Sequence, residues 1–171
     1  MRVLLVGGGI GIGGSGSRGL ELARRLVADG HAVRAAVDEE HRAAVEAAGC
    51  ECWVGDPDRI GTLRYALENV TVLCWLLADV GAQELHGSRL EMMLERTIDT
   101  TARGVVYESS GLHGETGSAI VTRMASKNEI PFVLVDVDPG DTEVWLDATL
   151  AGIESIVAVD RATLPAAWNQ N

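Results

Sequence analysis

Apolar residues along the chain fall into short blocks, and the stretches between them repeat their apolar positions every three or four residues. Six blocks read as β-strands: residues 2–6 (RVLLV), 32–37 (AVRAAV), 50–54 (CECWV), 70–77 (VTVLCWLL), 104–109 (GVVYES) and 131–137 (PFVLVDV). The spacing between them predicts helices over 19–28, 39–48, 56–67, 85–101 and 118–127, with a closing helix over 144–157. Asp29-Gly30 and Gly49 stop the first two. Asp56-Pro57 opens the third, since aspartate caps a helix and proline suits its first turn. The strands are apolar almost without interruption, which means burial on both faces. Such strands alternating with helices predict a parallel sheet covered on both sides: a doubly wound, Rossmann-like α/β fold of about six strands, in a single three-layer domain. That domain is expected over residues 1–158, and 159–171, with weak periodicity, form a C-terminal tail. No block approaches the roughly 20 apolar residues of a membrane span. The apolar opening is too short for a secretory signal, so a cytoplasmic protein is expected.

In a sheet of this kind ligands bind beyond the carboxyl ends of the strands. The first loop at that end runs VGGGIGIGGSGSRG from Val6 to Gly19, with eight glycines in fourteen residues. Glycine lets the backbone turn tightly and approach a pyrophosphate, whose charge the following helix N-terminus stabilises. Two registers compete. The early one, Gly9-x-Gly11-x-x-Gly14, would place Gly16, Ser17 and Gly19 inside the helix, at a cost of about 1 kcal/mol per glycine. The late one, Gly13-x-x-Gly16-x-x-Gly19, leaves a helix of about ten residues with Ser15 or Ser17 as its cap. The late register is preferred, and Gly7 to Gly11 then read as an added, flexible lip.

Asp38 closes the second strand, 19 residues beyond Gly19. A carboxylate there accepts hydrogen bonds from ribose hydroxyls and repels a 2′-phosphate, which favours NAD over NADP. Arg34 and Arg42 are nearby cations that could restore NADP binding. The simpler role for Asp38 is to cap the next helix.

Charge narrows the partners. The formal net charge is −11 and the isoelectric point about 4.7. Such a surface repels phosphate backbones and anionic bilayers, so neither nucleic acid nor membrane is an expected partner. A phosphate held by backbone N–H groups needs no basic patch. The three cysteines, Cys50, Cys52 and Cys74, lack partners at zinc-ligand spacing and read as small buried hydrophobes. No metal site is expected.

From Gly13 onward the residues resemble the extended and atypical short-chain dehydrogenase/reductases, including the NmrA-like and NAD-dependent epimerase-like proteins. GGSGSRGLELARRLVADGHAVRAAV is similar to that family's glycine motif, first helix and second strand. CECWVGDPDRIGTLRYALENVTVLCWLLA is similar to its third strand, third helix and fourth strand, and RGVVYESSG to its fifth strand with a serine pair. The resemblance implies a bound NAD or NADP. It implies a cofactor-binding set of Gly7, Gly13, Ser15, Gly16, Gly19 and Asp38, with Asp56 near the adenine. Leu76, Leu77 and Ala78 would lie along the adenosine and ribose, and Ser109 and Ser110 near the nicotinamide.

The chain also departs from that family. Its glycine loop is several residues longer. The family's catalytic tyrosine, four residues before a lysine that lowers its pKa, is missing. Lys127 is the only lysine, position 123 is arginine, and the tyrosines are Tyr65 and Tyr107. The residues after the sixth strand are expected to be too few to complete the substrate-binding portion of extended members.

Catalytic candidates therefore come from the end of the fifth strand. Strand alternation puts Tyr107 and Ser109 on one face and Glu108 on the other. Tyr107 can donate a proton if it faces the cleft; otherwise it is a core aromatic. Ser110 follows it, and His113, in GLHGE, has Glu115 two residues on. His86 and Glu84 border the same cleft. A G-x-S-x-G elbow is missing, and the glycine loop contains no lysine, which argues against a hydrolase or a P-loop kinase. Three readings stay open. One is a dinucleotide-binding sensor or regulator. Another is an NAD(P)H-dependent reductase or epimerase-like enzyme, with an atypical proton donor and a small-molecule substrate. The last is a non-binding structural relative that forms a homodimer.

Overall fold

A computed structural model describes residues 1–10 and 17–163, apart from the side chains of 160–163. Six strands form one sheet: β1 (Arg2–Gly7), β2 (Ala32–Val37), β3 (Glu51–Val54), β4 (Val72–Leu76), β5 (Gly104–Glu108) and β6 (Phe132–Val135). Every pairing is parallel, and the order is β3-β2-β1-β4-β5-β6. The order reverses between β1 and β4. That is where an open α/β sheet leaves a crevice at the carboxyl ends of its strands.

The strands bury both faces, as their composition predicts. On β1, Val3 and Leu5 face one layer while Leu4 and Val6 face the other. The first layer is built by α1 (Arg18–Ala28), α2 (Arg42–Ala47) and α5 (Thr142–Thr163), through Leu22, Leu26, Val45, Trp145 and Ile153. The second is built by a 3-10 segment at Ile60–Leu67, α3 (Ser88–Ile98) and α4 (Gly114–Lys127), through Leu63, Leu67, Leu90, Met93 and Val121. Cys50 and Cys52 both pack towards the first layer and Cys74 is wholly enclosed in it, all three as free thiols. Burial raises the Cys74 thiol far above its ordinary range.

Several element boundaries differ from the sequence expectation, each for a local reason. The helix expected from Asp56 begins only at Ile60, as 3-10 turns. Thr62 competes with helical bonding there: its hydroxyl accepts from the Asp56 N–H (2.8 Å) and donates to the Arg59 carbonyl (2.7 Å). The helix expected over 85–101 is split at Gly87 into a 3-10 turn, Gln83–His86, and α3. The helix expected over 39–48 is a 3-10 turn, Glu39–His41, followed by α2. The helix α5 continues past 157 to Thr163.

Candidate functional site

A cavity of about 350 Å³ opens at the carboxyl ends of β1 to β4. Its walls include Gly7, Asp38, Gly55, Asp56 and Leu77. A second, of about 400 Å³, is lined by Arg64, Tyr65, Arg96 and Thr100 and lies at the amino ends of β4 and β5. The first is the functional candidate because it occupies the switch in strand order, where the loops converge.

The glycines at the end of β1 are a packed turn. Gly7, Gly8 and Gly9 all have left-handed backbone angles, with φ of 88°, 72° and 74°. A Cβ at Gly7 would sit 2.2 Å from the Leu76 carbonyl oxygen, and one at Gly8 would sit 2.8 Å from the Gly19 Cα. Gly8 donates its N–H to the Leu76 carbonyl (2.7 Å) and accepts from the Gly19 N–H (2.8 Å). The expectation of a flexible lip is therefore corrected for Gly7, Gly8 and Gly9, and Gly11 lies outside the described residues. Gly19 packs the first turn of α1 against this turn. Ser17 caps α1, accepting from the Leu20 N–H (3.1 Å). Gly13, Ser15 and Gly16 lie outside the described residues.

Asp38 both lines the cavity and caps the following turn. Its Oδ1 accepts from the His41 backbone N–H (3.1 Å) and pairs with the His41 ring. That hydrogen bond lowers the Asp38 pKa below the usual carboxylate range and raises that of His41. Asp56 stands across the cavity, its Oδ1 accepting from the Asp58 N–H (2.9 Å). Leu77 lines the cavity, but Leu76 does not. Its side chain is fully buried in the layer of α1 and α5, and only its carbonyl reaches the glycine turn. Arg34 is buried, and donates to the carbonyls of Ala66 (2.6 Å) and Glu68 (3.0 Å). Arg42 pairs with Glu39 and Glu46.

The loops after β4 and β5 meet beside this cavity. A Cβ at Gly111 would lie 2.3 Å from the Ala78 carbonyl oxygen, and His113 Nε2 lies 3.3 Å from the Gly81 carbonyl. Ser109 extends the sheet, its N–H donating to Val135 (2.9 Å). The Ser110 hydroxyl is buried and has no hydrogen-bond partner among the described residues. The loop carrying Ala78 and Gly81 is thus brought against the loop carrying Gly111 and His113.

Tyr107 is not a proton donor to this cleft, which corrects its candidacy. It is wholly buried on the opposite face, under Gly117 of α4. His86, also buried, has Nε2 2.9 Å from the Leu77 carbonyl, so Nε2 carries the proton. Its Nδ1 then accepts from the Tyr107 hydroxyl at 2.7 Å. Burial pulls the His86 pKa down and pushes that of Tyr107 up, keeping both neutral. Replacing Tyr107 with phenylalanine is expected to cost about 1–3 kcal/mol, because the His86 acceptor loses its partner in the interior. Urea unfolding reads that cost, and ligand affinity is expected to stay unchanged.

Sequence reasoning missed the charged cluster behind the cavity. Arg18, the first residue of α1, reaches Glu108 at the end of β5, 90 positions away. Its Nη2 donates to Glu108 Oε1 at 2.6 Å and its Nε to Oε2 at 3.1 Å. Glu108 is wholly buried, and also accepts from the Ala78 N–H (2.7 Å) and the Trp145 indole N–H (2.6 Å). The guanidinium lies 5.1 Å from the Trp145 ring centroid and bonds the exposed Asp79 at 3.0 Å. Burial works against its charge, but the bonds from Asp79 and Glu108 outweigh this and raise its pKa. A glutamate closing an apolar strand was the available signal, since a buried carboxylate requires a cation.

No protein-family model matches the sequence, and no curated protein sequence matches it. Solved structures do. Triphenylmethane reductase from Citrobacter sp., complexed with NADP(H), matches with a TM-score of 0.60 and 14% identity over 79% of this chain and 48% of that one. Vestitone reductase from alfalfa matches with a TM-score of 0.61 and 14% identity, over 78% of this chain and 55% of that one. UDP-glucuronic acid 4-epimerase from Bacillus cereus, in complex with NAD, matches with a TM-score of 0.57 and 12% identity, again over 78% and 55%. The chain spans about half the length of these proteins. At such identities the likeness is one of fold: this chain has the Rossmann-type α/β fold that those reductases and the epimerase share.

Proposed function

We propose that the chain binds a nicotinamide dinucleotide, with NAD(H) preferred over NADP(H), in the cavity at the β1/β4 switch point. The observation that carries this is the convergence of Gly7, Asp38, Asp56 and Leu77 on one cavity at that place in the fold. The residues fit the group. Gly7 is a wall of the cavity and puts no side chain between the backbone and a pyrophosphate. Asp38 accepts from ribose hydroxyls, and Asp56 stands at the adenine end. Ser110, on the neighbouring loop after β5, keeps a buried hydroxyl that has no hydrogen-bond partner among the described residues, a donor or acceptor left for a ligand. Solved neighbours that carry NAD or NADP lend the same support.

Thermal shift with NAD, NADH, NADP and NADPH tests this reading, since a ligand that binds only the folded state raises Tm. NADH is expected to raise Tm more than NADPH. Asp38→Ala is expected to weaken NADH about tenfold and narrow the gap between the two, as one charge-assisted hydrogen bond to ribose is lost. An unchanged NADH affinity in that variant would move the ribose elsewhere.

We infer a sensing or regulatory role, because the tyrosine–lysine pair is missing and Tyr107 is committed to His86. A second reading rests on His113, half-exposed on the loop after β5. The nicotinamide itself supplies hydride chemistry when bound. His113 would then hold the proton that such a reduction consumes. Turnover of carbonyl substrates with NADH that is lost in His113→Ala distinguishes this enzyme from a sensor.

A further inference from the structure

The charged cluster behind the glycine turn holds one cation against two anions, and the two anions are held very differently. Glu108 is completely enclosed and fixed by Arg18, the Ala78 N–H and the Trp145 indole. Asp79 is exposed, on the loop after β4, and its hydrogen bonds among the described residues are all to Arg18: Nη1 to Oδ2 at 3.0 Å and Nη2 to Oδ1 at 3.2 Å. One carboxylate suffices to neutralise the guanidinium, and Glu108 does so permanently. Asp79 is the surplus anion.

Its position gives that surplus a meaning. A Cβ built on Gly9 would lie 3.4 Å from Arg18 Nη1 and 3.9 Å from Asp79 Oδ2. The carboxylate therefore lies just off the open side of Gly9, on the side where α1 begins. An anion approaching the turn meets Asp79 before it meets Arg18. We propose that Asp79 is a built-in competitor for a ligand's pyrophosphate: it holds the Arg18 face of the site, and the dinucleotide binds by displacing it. This rests on the dinucleotide reading above and adds a residue that sets affinity within it. The exchange puts a phosphate oxygen in place of a carboxylate oxygen on the same guanidinium. Asp79 can turn into water without breaking any other hydrogen bond to the described residues, while Glu108 keeps Arg18 in place. A partly exposed ion pair of this kind contributes little to stability, so the exchange has a low energetic threshold.

The test compares the wild-type chain with Asp79→Asn and Asp79→Ser by calorimetry, using inorganic pyrophosphate, NADH and adenosine as probes. Removing the competing charge is expected to tighten pyrophosphate and NADH about tenfold in both variants, with adenosine unchanged because it carries no phosphate. Pyrophosphate affinity that is equal or weaker in both variants overturns the proposal. Failure of the two ideas is distinguishable. If adenosine and NADH bind but neither Asp79 variant tightens NADH or pyrophosphate, the competitor is wrong and the dinucleotide site stands. If pyrophosphate tightens while NADH and adenosine never bind, Asp79 guards an anion site and the dinucleotide reading falls.

Discussion

Replacing Glu108 with alanine is expected to destabilise the protein by roughly 3–5 kcal/mol, the usual cost of leaving a buried charge without its partner. For a chain of this size that lowers Tm by on the order of 10 °C. The reason is the number of groups that lose their acceptor together. Arg18 is enclosed near the base of α1, and the Trp145 indole and the Ala78 N–H also converge on the same carboxylate. Trp145 belongs to α5, Ala78 to the loop after β4 and Arg18 to α1, so the carboxylate ties three segments to the end of β5. Glutamine in its place keeps an acceptor but loses the charge, and should fall between alanine and wild type. Urea unfolding measures both. A loss below about 1 kcal/mol in Glu108→Ala would mean that Asp79 alone satisfies Arg18, leaving the pair with the value of an exposed ion pair.

The second large effect is expected at Gly7. An alanine there must hold φ near 88° and place its Cβ 2.2 Å from the Leu76 carbonyl oxygen. Strain of that backbone kind costs about 1–3 kcal/mol, and forcing atoms into a packed site costs a similar amount. The turn cannot stay where it is. The Gly8 N–H would be pushed off the Leu76 carbonyl, and Gly8 off Gly19, which sets how closely α1 approaches β1. NADH binding should be lost together with stability, because Gly7 is itself a wall of the cavity. Gly30→Ala is the matching control. Gly30 has φ of 85° but nothing within 4 Å of its Cβ, so it carries the backbone penalty without the collision and lies outside the cavity. Equal NADH affinities in Gly7→Ala and wild type would remove the glycine turn from the site.

The sheet was legible because each strand announces itself locally. Blocks such as VLCWL and GVVYE are apolar on both faces, and only a covered parallel sheet buries both. Asp38 was legible because it closes a strand, and the fold turns that position into a cavity wall. Asp56 came to the same wall only through the family resemblance; its own sequence context predicted a helix start, and the helical turns begin at Ile60. What stayed hidden was long-range. Alternation separated Tyr107 from Glu108 correctly, but nothing near either residue named what would cover it. His86 lies 21 positions from Tyr107, and Arg18 lies 90 from Glu108. The glycine stretch was misread at its start because repeated glycine is compatible with both freedom and tight packing. The closeness of Leu76 and Gly19 decides for packing at Gly7 and Gly8.

The most direct measurement is a fluorescence titration of the chain with NADH, followed by displacement with ADP. The account expects saturable binding of one NADH per chain and competition by ADP, which carries the adenine, ribose and pyrophosphate that the Asp38, Asp56 and glycine-turn site would hold. No binding at millimolar NADH, or binding that ADP leaves untouched, would contradict it.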